Sequence, residues 1–214
     1  MPAAMIARLK VTITGSRPPI WRRLEVPLEF SFARLSDVIL AAFGWSNSHL
    51  HEFRIGRYRH VVMADVLEDE EGPITPPDWL ATAASSDPRL AELGASLGDE
   101  DERALTLAQV LAGDVKRFVY TYDLGDDWEH AVAVEAVLPA EAGLGYPRCT
   151  AGRRACPPED CGGVWGYEHL AEVLTDPAHE EYAELHEWCP FFAPEEFDLA
   201  AADEVVRHPP EYWQ

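Results

Sequence analysis

The segment RFVYTYDLGDDWEHAVAVEAVL, residues 117–138, constrains the fold more than any other stretch of the chain. Phe118, Tyr120 and Tyr122 alternate with Val119 and Thr121, and His130, Val132 and Val134 then alternate with Ala131 and Ala133. Side chains of an extended strand point to opposite faces in turn, so this two-residue period builds two half-buried strands. Between them DLGDD supplies the Asp and Gly residues that a tight reversal needs for its own backbone bonding. An antiparallel hairpin follows, and its apolar face requires a cover.

The same period recurs upstream. In IARLKVTIT, Leu9, Val11 and Ile13 alternate with Arg8, Lys10 and Thr12. GSRPP then turns the chain, and IWRRLEV reads as the second strand of another hairpin. Behind Ser31, a good N-cap, Phe32, Leu35, Val38, Ile39, Ala42 and Phe43 fall at helical spacing, and Gly44 ends the run. HLHEFRIGRYRH reads as one strand carrying His49, His51, Phe53 and Ile55 on one face. Residues 64–104 are acidic, Pro-rich and weakly periodic, an insertion or long loop. TLAQVLA is a short helix capped by Thr106, and GYEHLAEVLTD, PAHEEYAELHEW and DLAAADEVVRH are amphipathic helices. The expected fold is α+β: a largely antiparallel sheet with helices packed on one side, in a single domain over 1–214. Its first half has the hairpin, helix, strand order of a β-grasp.

With 47% hydrophobic residues among 214, the chain can bury a large core without disulfides. No stretch approaches the roughly 18 consecutive apolar residues of a membrane helix, and MPAAMIARLKVTITG lacks a signal peptide's apolar run. A cytoplasmic location is therefore expected. There Cys149, Cys156, Cys161 and Cys189 are expected free, metal-bound or reactive rather than bridged.

A net charge of −21 argues against a general phosphate-binding surface. The average conceals a division: residues 1–60 hold nine Lys and Arg against four acids, a net of +5, which leaves −26 for the rest. One reading has acidic later helices neutralising a basic sheet. The sharper reading is an open basic face, with Arg8, Lys10, Arg22 and Arg54 as the binding surface for a protein or nucleic-acid partner.

Four constellations can carry chemistry. His49-x-His51 has the spacing of sheet-built metal sites, beside the plainer reading of two unligated histidines at a strand end. In YDLGDDWEH, Asp123, Asp126 and Asp127 crowd a turn three residues before His130; carboxylates beside imidazole make an acid–base pair or hold a divalent cation, and such a turn also uses Asp structurally. The run CTAGRRACPPEDCGG, residues 149–163, reads as a stiff loop. Its cysteine spacing fits no standard zinc knuckle, while Arg153 and Arg154 favour a lowered thiol pKa at Cys149 or Cys156. Within it, Pro157, Pro158, Gly162 and Gly163 shape PPEDCGG so that Glu159 and Asp160 are presented from a rigid support, suited to a ligand site or to plugging one end of a sheet.

PPIWRRLEVP, LSDVILAAFGWSNSHLHEF, YTYDLGDDWEH, CTAGRRACPPEDCGG with GYEHL, and FFAPEEFDL, in that order, resemble the plasmid pRiA4b ORF-3-like family. Some relatives in that family carry a TnpR resolvase label. A serine resolvase needs a nucleophilic serine among arginines and a basic helix-turn-helix reader. This chain shows a strand-rich basic third and acidic C-terminal helices instead, so resolvase catalysis is not expected of it. The resemblance places His49, His51, Asp126, Asp127, His130, Cys149, Glu159 and Asp160 inside the family's motifs, which implies one shared site at an end of the sheet.

Two functions fit. The first is a binding or adaptor module, linked to mobile-element or DNA-associated processes, that uses the basic sheet face or the groove edged by the Pro-Pro loop. The second is a metal-dependent hydrolase, with zinc or another divalent cation held by His49, His51, His130 and Cys149 and with Asp126, Asp127, Glu159 and Asp160 as catalytic carboxylates.

Overall fold

A computed structural model describes residues 4–56, 59–62 and 100–210, so residues 64–99 of the acidic insertion lie outside the described residues. In chain order the elements are β1 (Met5–Ile13), β2 (Trp21–Pro27), α1 (Phe32–Phe43), β3 (His51–Ile55), β4 (Arg59–Val62), β5 (Glu100–Asp101), α2 (Leu107–Ala112), β6 (Arg117–Tyr122), β7 (Trp128–Pro139), β8 (Arg148–Arg153), α3 (Gly163–Val173), α4 (Tyr182–Trp188) and α5 (Leu199–Arg207). The strands form one sheet in the order β5, β4, β3, β6, β7, β1, β2, β8. Every neighbouring pair is antiparallel except β4 with β5. The hairpin, helix, strand order of the first half is present, with β6 and β7 lying between β1 and β3.

Two boundaries differ from the sequence reading. HLHEFRIGRYRH is not one strand: β3 begins at His51, the chain turns after Ile55 with Gly56 at φ 66°, and β4 returns beside it. The first residues of the cysteine run are not loop, because Arg148–Arg153 pairs with β2 as an edge strand with a bulge opposite Arg23 and Leu24.

The inner face of the sheet carries Leu9, Val11, Ile13, Leu24, Phe53, Phe118 and Val132, all buried. Helix α1 covers it with Phe32, Leu35, Ile39 and Phe43. Ser31 Oγ caps the helix by accepting from Arg34 N–H, and Gly44, left-handed at φ 101°, donates its N–H to Leu40 O. Each such large apolar side chain contributes about 1.5–3 kcal/mol by leaving water, so this face dominates the stability of the sheet. Helix α5 packs against α1 and β8, closing the far edge.

The outer face is a ladder of ion pairs. Arg8 and Glu25 are direct cross-strand neighbours joined at 2.8 Å, Arg23 meets Glu135 at 2.7 Å, and Arg54 meets Glu129 at 2.8 Å. Lys10 lies over the Trp21 ring at 4.9 Å. The basic N-terminal strands are thus neutralised by acids of the sheet itself, not by the later helices. Arg22 is corrected more sharply: it is 1% exposed and points inward, so it is no part of the sheet's outer surface.

Candidate functional site

The β6–β7 turn is built by its own aspartates. Asp123 Oδ1 accepts from the N–H groups of Gly125 and Asp126, and Asp127 N–H donates to Asp123 O. Asp123 and Asp127 take left-handed φ values of 55° and 54°, which Asp tolerates better than most residues. Asp126 Oδ2 accepts from Gly162 N–H at 2.9 Å, fixing the Pro-Pro loop to this turn. At Gly163, φ is 66° and an added Cβ would lie 2.4 Å from Asp126 O, so glycine permits the close approach.

Docked in this way, the loop inserts Glu159 beside the segment joining α1 to β3. Its Oε1 accepts three hydrogen bonds: from Ser46 N–H at 2.7 Å, Ser46 Oγ at 2.9 Å and the Tyr122 hydroxyl at 3.1 Å. Burial, with the nearby Glu159 carboxylate adding to it, raises the Tyr122 phenol above its ordinary range. Glu159 Oε2 is buried without a hydrogen-bond partner. It lies 3.7 Å from His49 Nε2, which is 3.3 Å from Asp160 Oδ1, while His49 Nδ1 is 3.8 Å from Asp123 Oδ2. One imidazole therefore sits among three carboxylates contributed by two loops. His49, Asp123 and Asp160 offer ligand atoms within 4.8 Å of one another. That spread suits a cation with bonds of about 2.0–2.6 Å, whose opposed ligands stand about 4–5 Å apart.

The other candidate ligands go elsewhere. His51 is separated from His49 because the strand starts only at His51; its ring turns inward, and Nε2 meets Glu102 Oε2 at 2.7 Å. Glu102 and His51 form a buried polar pair, and at the neighbouring, half-buried Asp37 burial raises the carboxyl to about 6. His130 is fully buried against Phe43 and Trp45, with Nδ1 3.3 Å from Tyr120 O, and burial lowers its pKa to about 4. Cys149 lies on β8, three strands from His130 on β7, about 14 Å at the usual strand spacing. The four residues His49, His51, His130 and Cys149 thus do not meet. Nor do the arginines lower the thiols: burial raises Cys149 to about 11, Cys161 to about 12 and Cys156 well above its ordinary value. Of the proposed carboxylates, Glu159 and Asp160 face His49, Asp126 is spent on the loop, and Asp127 sits exposed at the turn's corner.

The other side of the Pro-Pro loop borders a groove of about 460 Å³, lined by Trp45, Pro157, Pro158, Trp188, Phe191 and Phe192 among others. Its floor is fixed by Trp45 Nε1, which donates to Pro157 O at 3.1 Å. At its rim Phe191 is 96% exposed and Trp188 49%.

The family model for plasmid pRiA4b ORF-3-like proteins matches residues 5–201. The chain belongs to that family. Uncharacterized protein y4hQ of Sinorhizobium fredii is 38% identical over 206 residues, covering 94% of this chain and 87% of the relative. The crystal structure of a protein of unknown function from Methanosarcina mazei Go1 superposes with a TM-score of 0.74 at 34% identity, over 92% of this chain and 97% of that one. Within the pRiA4b ORF-3-like match fall both the His49 cluster and the aromatic rim. Ser46, Tyr122 and Glu102 were not singled out by sequence reasoning as parts of a polar network. Tyr122 reads as core from its strand phase, and Glu102 reaches His51 only through the tertiary fold.

Proposed function

We propose that this pRiA4b ORF-3-like protein is a binding module that holds an apolar segment of a protein partner in the groove between the Pro157–Pro158 loop and the Trp188–Ala193 segment. The observation that carries this reading is the exposure of Phe191, 96%, and Trp188, 49%, on the segment that faces a stiff floor held by the Trp45–Pro157 hydrogen bond. Covering one such ring removes on the order of 100–200 Å² from water, about 3–5 kcal/mol before the costs of association. Exposed aromatics beside a preformed pocket are the usual anchors of an interface. Glu159 and Glu196 border the groove and the chain carries −21, so the favoured segment has apolar anchors flanked by Lys or Arg. A link to mobile-element or DNA-associated processes then runs through a protein partner, because Arg8 and Arg54 are already ion-paired on the sheet and Arg22 is buried. Among the described residues no helix is long and apolar enough to cross a membrane. Selection of a random peptide library on the purified protein tests the reading. Enriched peptides should have the stated pattern and lose at least tenfold in affinity to a Trp188→Ser, Phe191→Ser variant of unchanged melting temperature. Peptides that bind both proteins equally would refute it.

A second reading is favoured by the three convergent ligand atoms of His49, Asp123 and Asp160: a divalent-cation site serving hydrolysis, with Glu159 as base. Titration of tag-free protein with zinc and with manganese, followed by calorimetry, checks it. Binding near one equivalent that His49→Ala abolishes supports the site; equal binding to both proteins removes it.

A further inference from the structure

Arg22 poses a problem that neither reading solves. It is 1% exposed, its guanidinium lies 4.8 Å from the Phe43 ring centre and 4.0 Å from that of Phe197, and it forms no ion pair with a carboxylate of the described residues. A guanidinium has five N–H donors. Nε donates to Ala42 O, and Nη1 donates to Trp21 O and Arg153 O, at 2.8, 2.9 and 3.1 Å. That leaves both donors of Nη2 without a partner among the described residues. The titratable side chains acting on Arg22 are the thiols of Cys156 and Cys149, and burial keeps both protonated at neutral pH. A buried cation without an anion is expensive, and chains retain one mainly where something else supplies the charge.

Arg22 also lines a cavity of about 310 Å³ between the end of α1, Ala155–Cys156 and the start of α5. Its walls include Ala41, Phe43, Ala202 and Val205. We infer that this cavity binds a small carboxylate with an apolar body, the carboxylate on Arg22 Nη2 and the body against the alanines and Val205. Carboxylate geometry matches the planar edge of a guanidinium. The exposed acids Glu196 and Asp198 at the margin favour a monoanion over a dianion such as phosphate. The carboxylate belongs to a free small acid or to the C-terminus of a polypeptide; the chemistry is shared. The inference does not rest on the aromatic groove, although the two hollows share Gly44, Ala155, Cys156 and Glu196.

Calorimetry with hexanoate and with N-acetyl-leucine, each paired with its uncharged amide, and with inorganic phosphate as the dianion, tests the site. At least one acid should bind at least tenfold more tightly than its amide, since a charge-assisted hydrogen bond is worth about ten- to a hundredfold. Preference for hexanoate indicates a free acid, and preference for N-acetyl-leucine a chain terminus. Arg22→Met should erase the difference between acid and amide. Val205→Trp, which fills the cavity from the partly exposed face of α5 and leaves Arg22 in place, should block the acid while the melting temperature is held. Equal binding of acid and amide, phosphate binding that exceeds both acids, or full affinity in both variants would show Arg22 to be a structural cation only and overturn the site. Absence of acid binding at millimolar concentration would do the same.

Discussion

Glu159→Ala offers the most direct test of how the Pro-Pro loop is held. Three donors converge on one oxygen, Oε1, from Ser46 N–H, Ser46 Oγ and the Tyr122 hydroxyl. A hydrogen bond to a charged group is worth about 1.5–3 kcal/mol when well buried. Glu159's side chain is 24% exposed and Ser46 lies at the surface, so water replaces part of each bond and about 1 kcal/mol apiece is the fair share. Glu159→Ala should therefore cost about 2–4 kcal/mol, or on the order of 5–12 °C in melting temperature for a chain of this size. Glu159→Gln is the sharper control. Its carbonyl can replace Oε1 and keep all three donors satisfied, while its amide replaces the buried, unpartnered Oε2, so the loss should stay near 1 kcal/mol. Urea unfolding followed by circular dichroism reads both values. An alanine variant within 0.5 kcal/mol of the parent, or a glutamine variant as unstable as the alanine one, would mean that the carboxylate does not anchor the loop by these bonds.

Further consequences follow from burial. His130 is neutral in the folded protein down to about pH 4, whereas an unfolded histidine takes up its proton near pH 6.5. The unfolded state then binds more protons between these values, so stability is lost as pH falls from about 6.5 to 4, by up to about 3 kcal/mol; His130→Phe should flatten that part of a urea-midpoint profile against pH. Among the thiols, burial raises Cys189 less than it raises Cys149 or Cys161. One equivalent should therefore react fast with a disulfide reagent at pH 8 and vanish in Cys189→Ser; equal rates for all four would contradict the burial order. Gly163→Ala combines φ of 66° with a Cβ 2.4 Å from Asp126 O, and should cost about 2–4 kcal/mol by the same unfolding assay.

Much of this architecture is legible in the sequence because it is local. The alternation of 117–138 marks β6 and β7, Ser31 and Gly44 bracket α1, and the Asp residues of DLGDD build the turn. Structure departs from sequence expectation where residue spacing alone does not fix strand boundaries or tertiary partners. His49 and His51 share a parity, yet only His51 is in a strand, so one imidazole joins the loop carboxylates and the other goes to Glu102. Their divergence depends on where β3 begins, and two-residue spacing does not fix that.

Arg22 is the opposite case, since its strand phase alone marks it as inward-facing. In IWRRLEV the positions Ile20, Arg22, Leu24 and Val26 share one parity, and all four are buried. Arg22 keeps step with these apolar side chains and not with the outward-facing Arg8 and Lys10. An arginine in core phase on β2 must find acceptors for five donors. Backbone carbonyls of α1, β2 and β8 take three of them, and no neighbouring carboxylate takes the charge. A residue whose type contradicts its face therefore points to an interior site, because its charge and its remaining donors face the cavity that Arg22 lines and need a polar occupant there.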